Sequence, residues 1–343
     1  MRSKGFLKPS CKTMGDGTAV HTSLSPHTLP EPHVETVPNA VVAPLQAGRA
    51  LSCGVFRADG SFCDHSRTLY SSNRFTDKPP FPLQTLKLQG QHLFIGIGRH
   101  HFGHFLLECT SRFWPLLHRR YDGLVLIPMH GIDFKSVFQR RLRAFVDLLS
   151  YEIPVHLVDA AVEVERLDVP TQGMGHRDWV VGTPEFRRFI RGRLGARVIP
   201  KGEERIYISR SQLKRASQMV DQEDRIERLM RKAGYTIFHP QRHSLPVQCA
   251  QYAAARQIVG ADGSAFHLAP FVMRPGTRVG LIQRRWRQGA FDALAAQIDA
   301  FCDVDLVTMN PLIRPYDTPL SEDTPPPLDF RRLIRKLEAG GFL

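Results

Sequence analysis

His104 and Glu108 stand four residues apart in the stretch Gly103-His104-Phe105-Leu106-Leu107-Glu108. On a helix that spacing puts both side chains on one side, one turn from each other. A carboxylate there can hold the imidazole in one tautomer and raise its basicity, which suits removal of a proton from a hydroxyl. Two assignments fit: His104 as base with Glu108 orienting it, or Glu108 as base with His104 positioning. The competing structural reading is a histidine closing a hydrogen bond at a helix start and a glutamate pairing Arg112. His100 and His101 precede this pair, but adjacent histidines at a helix entry converge poorly on one ion, and no cysteine or aspartate is spaced to complete a tetrahedral set.

A second group of chemistry-bearing residues lies in the other half of the chain. Gly260-Ala261-Asp262-Gly263-Ser264 is a small-residue turn at the end of an apolar run, and Arg210, Lys214 and Arg215 follow another such run. Small residues let an oxyanion approach the free N–H groups of a helix start, here predicted at about Ala265, and the three cations can neutralise the same anion. His267, just inside that helix, is a further candidate contact to phosphate or sugar. A tight turn with solvated basic residues is the plainer alternative.

The elements that must carry these residues are legible as an alternation. Arg205-Ile206-Tyr207-Ile208-Ser209 reads as a strand. Asp221 and Asp224 resemble a capping pair for a helix whose apolar positions, Ile226, Leu229, Met230 and Ala233, run to Gly234. Tyr235–Phe238 is a strand, Ser244 with Pro246 opens a helix to about Arg256, Gln257–Gly260 is a strand, and Thr277–Ile282 is expected to be the last long one. Strand, helix, strand, helix, strand predicts an α/β fold with a parallel sheet, whose ligands bind beyond the carboxyl ends of the strands. In the first half, Gly54–Tyr70 reads as a hairpin turning near Asp59-Gly60. His92–Gly96, Gly123–Pro128 and Val155–Val158 read as strands, and Gly103–Arg119, bent at Pro115, and Phe134–Leu149 as helices.

Taken together and in order, these residues resemble glycosyltransferase family 61. Arg205-Ile206-Tyr207-Ile208-Ser209-Arg210, Arg215, the helix ending at Gly234, Gln248 after Ser244-Leu245, and Ile258-Val259-Gly260 with Gly263-Ser264 match its catalytic region. Gly103 to Glu108 with Arg112 and Trp114 matches its N-terminal signature. The likeness covers about residues 40 to 310. It implies two Rossmann-like domains facing a cleft, of the glycosyltransferase B type, and a nucleotide-sugar donor. It further implies transfer with inversion to a polysaccharide, lipopolysaccharide or lipid-linked glycan acceptor of the bacterial cell-surface or capsule type, with no cofactor and no metal. Asp303-Val304-Asp305 has the letters of a divalent-metal motif but lies in a late segment. The family's usual Asn-Glu after the arginines is Asp221-Gln222 here, and its usual His before Gly-Ser is Asp262. An acidic group beside a diphosphate repels it, which is the ground for a second reading: a binding protein that keeps the nucleotide-sugar fold without catalysis.

The bulk numbers set bounds. At 343 residues the expected division is a mobile segment to residue 40, rich in Pro, Ser, Thr and His, then an acceptor domain over 41–195 and a nucleotide-sugar domain over 196–310. A Pro-rich connector and terminal helix over 311–343 follow, with the helix expected to cross back to the first domain. The formal charge of +13 favours anionic partners. A nucleic-acid-associated protein is the weakest reading, because aromatics do not interleave the arginine clusters. Six cysteines without CxxC spacing suggest reduced thiols. With no long apolar run and no signal-peptide core, the expectation is a cytoplasmic protein touching the membrane surface through its basic patches.

Overall fold

The computed structural model describes residues 24–46, 48, 51–71, 73–131, 133–213, 215, 218–313 and 324–343. It is an α/β structure with two large sheets, one in each half of the chain.

The first sheet has seven strands. Three are antiparallel neighbours at one side: β1 (Val34–Gln46), β2 (Ser52–Phe56) and β3 (Phe62–Cys63). The turn between β2 and β3 is the expected one, closed by Arg57 N–H on Ser61 O and by Ser61 N–H on the Asp59 carboxylate. A small separate ribbon follows, β4 (Leu69–Ser71) with β5 (Arg74–Phe75). The remaining strands of the large sheet are β6 (Leu86–Gly98), β7 (Gly123–Pro128), β8 (Val155–Leu157) and β9 (Val162–Pro170), giving the order β3-β2-β1-β9-β6-β7-β8 with β9, β6, β7 and β8 parallel. Leu93–Ile97 of β6 and Gly123–Ile127 of β7 are buried throughout, as strands covered on both faces must be.

Two expectations change here. Residues 34–40 are not part of a mobile segment but the first half of β1, which pairs antiparallel with β9 from Val34↔Pro170 to Val42↔Val162. The mobile segment expected over residues 1–23 lies outside the described residues. The continuous helix expected over 103–119 is four short pieces: α1 (Phe102–His104), a π-helical turn Phe105–Cys109, and 3₁₀ turns Thr110–Arg112 and Trp114–Leu117. Pro115, with no N–H to donate, sits in the first turn of the last piece instead of bending a longer one. The expected helix over 134–149 is likewise α2 (Phe134–Val137), a π turn and α3 (Arg143–Ser150).

After α4 (Pro184–Arg197), whose Thr183 cap accepts from Phe186 N–H, the second sheet begins. Its strands and helices alternate: β10 (Arg205–Ile208), α5 (Glu223–Lys232), β11 (Thr236–Phe238), α6 (Leu245–Ala254), β12 (Gln257–Ala261), α7 (Ala265–Leu268), β13 (Arg278–Ile282), α8 (Gln288–Phe301) and β14 (Asp305–Met309). All five strands are parallel, in the order β11-β10-β12-β13-β14. Thr277–Ile282 is therefore not the last strand: β14 adds an edge, with its half-exposed, acid-led sequence stabilised by pairing to β13. The final helix, α9 (Phe330–Ala339), does not cross back. Leu333 and Leu337 pack with Tyr207, Ile226, Met230 and Val259 under the second sheet. Asp221 does not cap α5, since Gln222 holds that position in the left-handed conformation. Asp221 accepts from Leu328 N–H instead and ties down the connector.

One buried cluster runs through both halves. It joins Phe105, Leu106, Phe113 and Leu126 to Phe186, Phe189 and Ile190 of α4, and these to Ile206, Ile258, Leu281 and Phe301.

Candidate functional site

In a sheet of order 2-1-3-4-5 the loops after strands 1 and 3 leave in opposite directions and open a crevice at the carboxyl ends. Here those strands are β10 and β12. Arg210 follows β10 and the Gly263-Ser264 turn follows β12, so the fold rule and the sequence reading converge on one place.

Arg210 is held there by its own backbone and Nε. Its N–H donates to Glu223 Oε1 at 2.7 Å and its Nε to Gln218 O at 2.6 Å. Its guanidinium lies flat on Gly263: a Cβ at that glycine would be 2.2 Å from Nη1, so no other residue admits the arrangement. Burial lowers the Arg210 pKa, while the nearby Asp262 and Glu223 carboxylates oppose that shift. Glu223 itself, buried behind Arg210 and also accepting from Tyr207 Oη at 3.3 Å, is pushed up to about 7 by loss of solvent. Lys214 lies outside the described residues. Arg215 is exposed, and its charge reaches His101 across the gap: burial lowers the His101 pKa first, then His104, His100, Arg99 and Arg215.

Asp262 does not face a ligand as a bare charge. It is buried; Oδ1 accepts from Arg284 N–H at 2.8 Å, and Oδ2 meets Arg285 Nη2 at 3.0 Å and Arg284 Nε at 3.9 Å. The Asp262 carbonyl also accepts from Arg284 Nε at 2.7 Å. Two guanidinium groups thus converge on one carboxylate, leaving the turn positive. Burial pushes Arg284 down to about 9. α7 is a single turn, so its dipole adds little and the arginines carry the charge.

On the facing side, the π turn brings His104 and Glu108 together, with Nδ1 to Oε1 at 2.6 Å. The competing partner is excluded: Arg112 points away from Glu108 and donates to Thr68 Oγ1 and to the carbonyls of His65, Arg67 and Pro170. Burial pushes it down to about 10. Arg112 is a structural brace.

Sequence reasoning missed His176. Its Nε2 lies 2.8 Å from the same Glu108 Oε1, and its ring centroid is 5.3 Å from that of His104. The loop carrying it is pressed onto the Glu108 segment by Gly173, whose N–H donates to Ser111 O at 2.9 Å. A Cβ there would meet Phe186 at 2.8 Å. The only sequence signal was a glycine-bearing loop ending in histidine. Arg99 completes the surround, Nε at 3.3 Å from Glu108 Oε2.

Burial separates the two roles left open for the pair. The Glu108 side chain is 0% exposed and that of His104 is 37% exposed. A closed-off carboxylate can orient, and only the imidazole can reach a substrate.

Among the described residues, His104, Glu108 and His176 are also the one group whose ligand atoms lie close enough for a metal, within 4.8 Å of one another. The 2.6 and 2.8 Å separations are those of N–H donors on a carboxylate oxygen. Arg99 already faces the second oxygen. The donor set therefore fits hydrogen bonding better than an added cation.

The two sides meet at Gly103. A Cβ there would stand 3.4 Å from Ser264 Cβ and 3.5 Å from His267 Cδ2. His267 accordingly feels His104 and His176 from one side and Arg285 from the other. Burial leads in pushing it down to about 4, against a hydrogen bond to Gln297 that raises it. Of the residues singled out from sequence, His104, Glu108, Arg210, Gly263, Ser264 and His267 border this gap, with Arg215 at its rim.

The sequence profile of the family described as Glycosyltransferase 61 matches residues 102–280, more than half of the chain and inclusive of both sides of the gap. The chain belongs to that family. Comparison with curated proteins gives no match. Membership makes it a glycosyltransferase, a class that takes an activated-sugar donor and a glycan or other acceptor.

Proposed function

We propose that this glycosyltransferase transfers its sugar with inversion, His104 acting as the base and the arginines beyond β10 and β12 receiving the leaving group. The observation that carries this is the contact of Gly103 with Ser264 and His267, which sets a carboxylate-held imidazole and an arginine-lined turn on one gap. The acceptor hydroxyl attacks the anomeric carbon on the face opposite the diphosphate. Its proton passes to Nε2 of His104, whose Nδ1–H is held by Glu108, and the C–O electron pair leaves with the nucleoside diphosphate. Negative charge then grows on the leaving oxygen, where Arg210 and Arg285 are already fixed by Gln218, Glu223 and Asp262, so little reorganisation is needed.

In this reading the first half is the acceptor side and the second the donor side of a glycosyltransferase B arrangement. The diphosphate charge is met by arginine in place of a metal. The acceptor is a surface polysaccharide, lipopolysaccharide or lipid-linked glycan, reached from the cytoplasm with the basic surface against the membrane. No helix among the described residues is long and apolar enough to cross a membrane. The ion pairs at Asp262 remove the ground for a catalytically silent binding protein, because the acid that would repel a diphosphate is neutralised by Arg284 and Arg285.

The test is release of nucleoside diphosphate from a panel of UDP-, GDP- and CMP-linked sugars, with and without a chelator. Turnover with one donor that survives chelation supports the proposal. Nucleotide binding without turnover of any donor and acceptor pair revives the binding protein, and turnover abolished by chelation and restored by a divalent ion replaces the arginine mechanism.

A further inference from the structure

We propose that His267 reads an uncharged hydroxyl of the transferring sugar, and that Gln297 is the positioning residue that makes it a hydrogen-bond acceptor. This rests on the glycosyltransferase reading of the site and adds which group on the donor is recognised.

The argument begins at Gln297, on α8, which is fully buried. Its Nε2 donates to the backbone carbonyl of His267 at 3.0 Å, and its Oε1 lies 2.5 Å from His267 Nδ1. The carbonyl can only accept, so it fixes which end of the amide faces it: the reverse orientation would set two oxygens against each other. With Oε1 thereby turned to the ring, Nδ1 must carry the proton. Burial keeps the imidazole neutral across the working range. Nε2 is then a lone pair and nothing else.

A lone pair repels a phosphate oxygen and accepts from O–H. The site thus divides its labour: diphosphate to Arg210 and Arg285, hydroxyl to His267. Its placement agrees. The ring edge at Cδ2, next to Nε2, faces Gly103 of the first half, and His104, His176 and Arg285 are the charged and titratable groups that act on it. A sugar attached to a diphosphate on the Gly263 turn and presented to His104 must pass it. A second base is not implied, because an imidazole pushed down to about 4 takes a proton poorly, whereas His104 is backed by a carboxylate.

The experiment uses the full chain. Calorimetry measures binding of the best donor from the nucleotide-sugar panel and of the corresponding free nucleoside diphosphate, for the unaltered protein, His267→Phe and Gln297→Leu. Both variants are expected to weaken the nucleotide sugar by about tenfold, the effect of one lost hydrogen bond, and to leave the free diphosphate unchanged. ¹⁵N spectra of the imidazoles should show His267 protonated at Nδ1 in the unaltered chain and released from that tautomer in Gln297→Leu, a change that loss of packing alone does not produce. Equal weakening of the free diphosphate, or a proton found on Nε2, overturns the proposal. Failure of the unaltered chain to bind any nucleotide sugar overturns instead the reading on which it rests. His267→Asn, which restores an acceptor, should recover part of the lost affinity if His267→Phe is poorly folded, and no recovery in a folded His267→Asn counts against the proposal.

Discussion

The two faces of the gap are built by the same device to opposite ends. On the first-half face a sequestered carboxylate, Glu108, gathers two imidazoles and leaves one of them reaching outward. On the second-half face two sequestered carboxylates, Asp262 and Glu223, gather arginines and leave positive charge toward the turn. In both, the acid is a holder and the partner is the working group. The residues that look most chemical by letter are therefore the ones farthest from substrate, and the acid in place of a family histidine, Asp262, becomes a scaffold for charge of the opposite sign.

The comparison breaks first at His104. His104→Ala should lower turnover by about 10²- to 10⁴-fold, the usual range for a positioned general base, with donor affinity little changed. Glu108→Gln, which keeps the shape but loses the full charge, should cost less than His104→Ala. A larger loss from Glu108→Gln than from His104→Ala would exchange their roles.

On the opposite face Arg210→Ala should lower turnover by about 100-fold or more, since fixed contacts to a developing oxyanion are worth about 2.7–4 kcal/mol. Gly263→Ala sharpens this without touching a charge. The new Cβ must expel a guanidinium nitrogen 2.2 Å away, so the variant should mimic Arg210→Ala in steady-state kinetics while its melting temperature stays close to that of the unaltered protein. Wild-type kinetics in Gly263→Ala would detach the arginine from the turn.

Asp262→Ala is expected to act on stability before chemistry. It strands the buried Arg284 and Arg285 groups, a loss of about 3–5 kcal/mol if they behave as other broken buried pairs, seen as a lower denaturant midpoint. If Asp262 were instead a donor contact, midpoint would hold and donor KM alone would rise.

Much of the second face was legible in the sequence, and the reason is local. β10, β12 and β13 are short apolar runs bounded by glycine and charge, each followed by its own helix, so their period and punctuation agree. β1, β9 and β14 carry no such agreement: Val34 finds its partner at Pro170, and the strand character of Glu35 and Asp305 comes from the neighbour they pair with. The first face was half legible. His104 and Glu108 are neighbours in sequence as in space, but His176 reaches Glu108 from 68 residues away, and Gln297 reaches His267 from 30. No spacing rule spans such loops, and the packing of Gly173 against Ser111 that closes one of them is a tertiary fact.

The smallest expected effect separates the two holders on the second face. Glu223, pushed up to about 7 by burial, binds a proton in the folded protein at pH values where the unfolded chain has released it. Its contribution to stability is therefore full below the ordinary carboxylate range, falls as pH rises toward 7, and is flat above. Glu223→Gln keeps an oxygen for Tyr207 Oη and the Arg210 N–H and removes the titration. Thermal unfolding of the variant should show a shallower decline between about pH 5 and pH 7 than the unaltered chain, with the curves drawing apart toward the higher value. The ionised carboxylate would also offset part of the Arg210 charge, so donor KM should rise over the same interval in the unaltered protein and stay level in Glu223→Gln. Parallel stability curves would mean that Glu223 holds Arg210 as a permanent anion, making the second face a copy of the first in charge as well as in design.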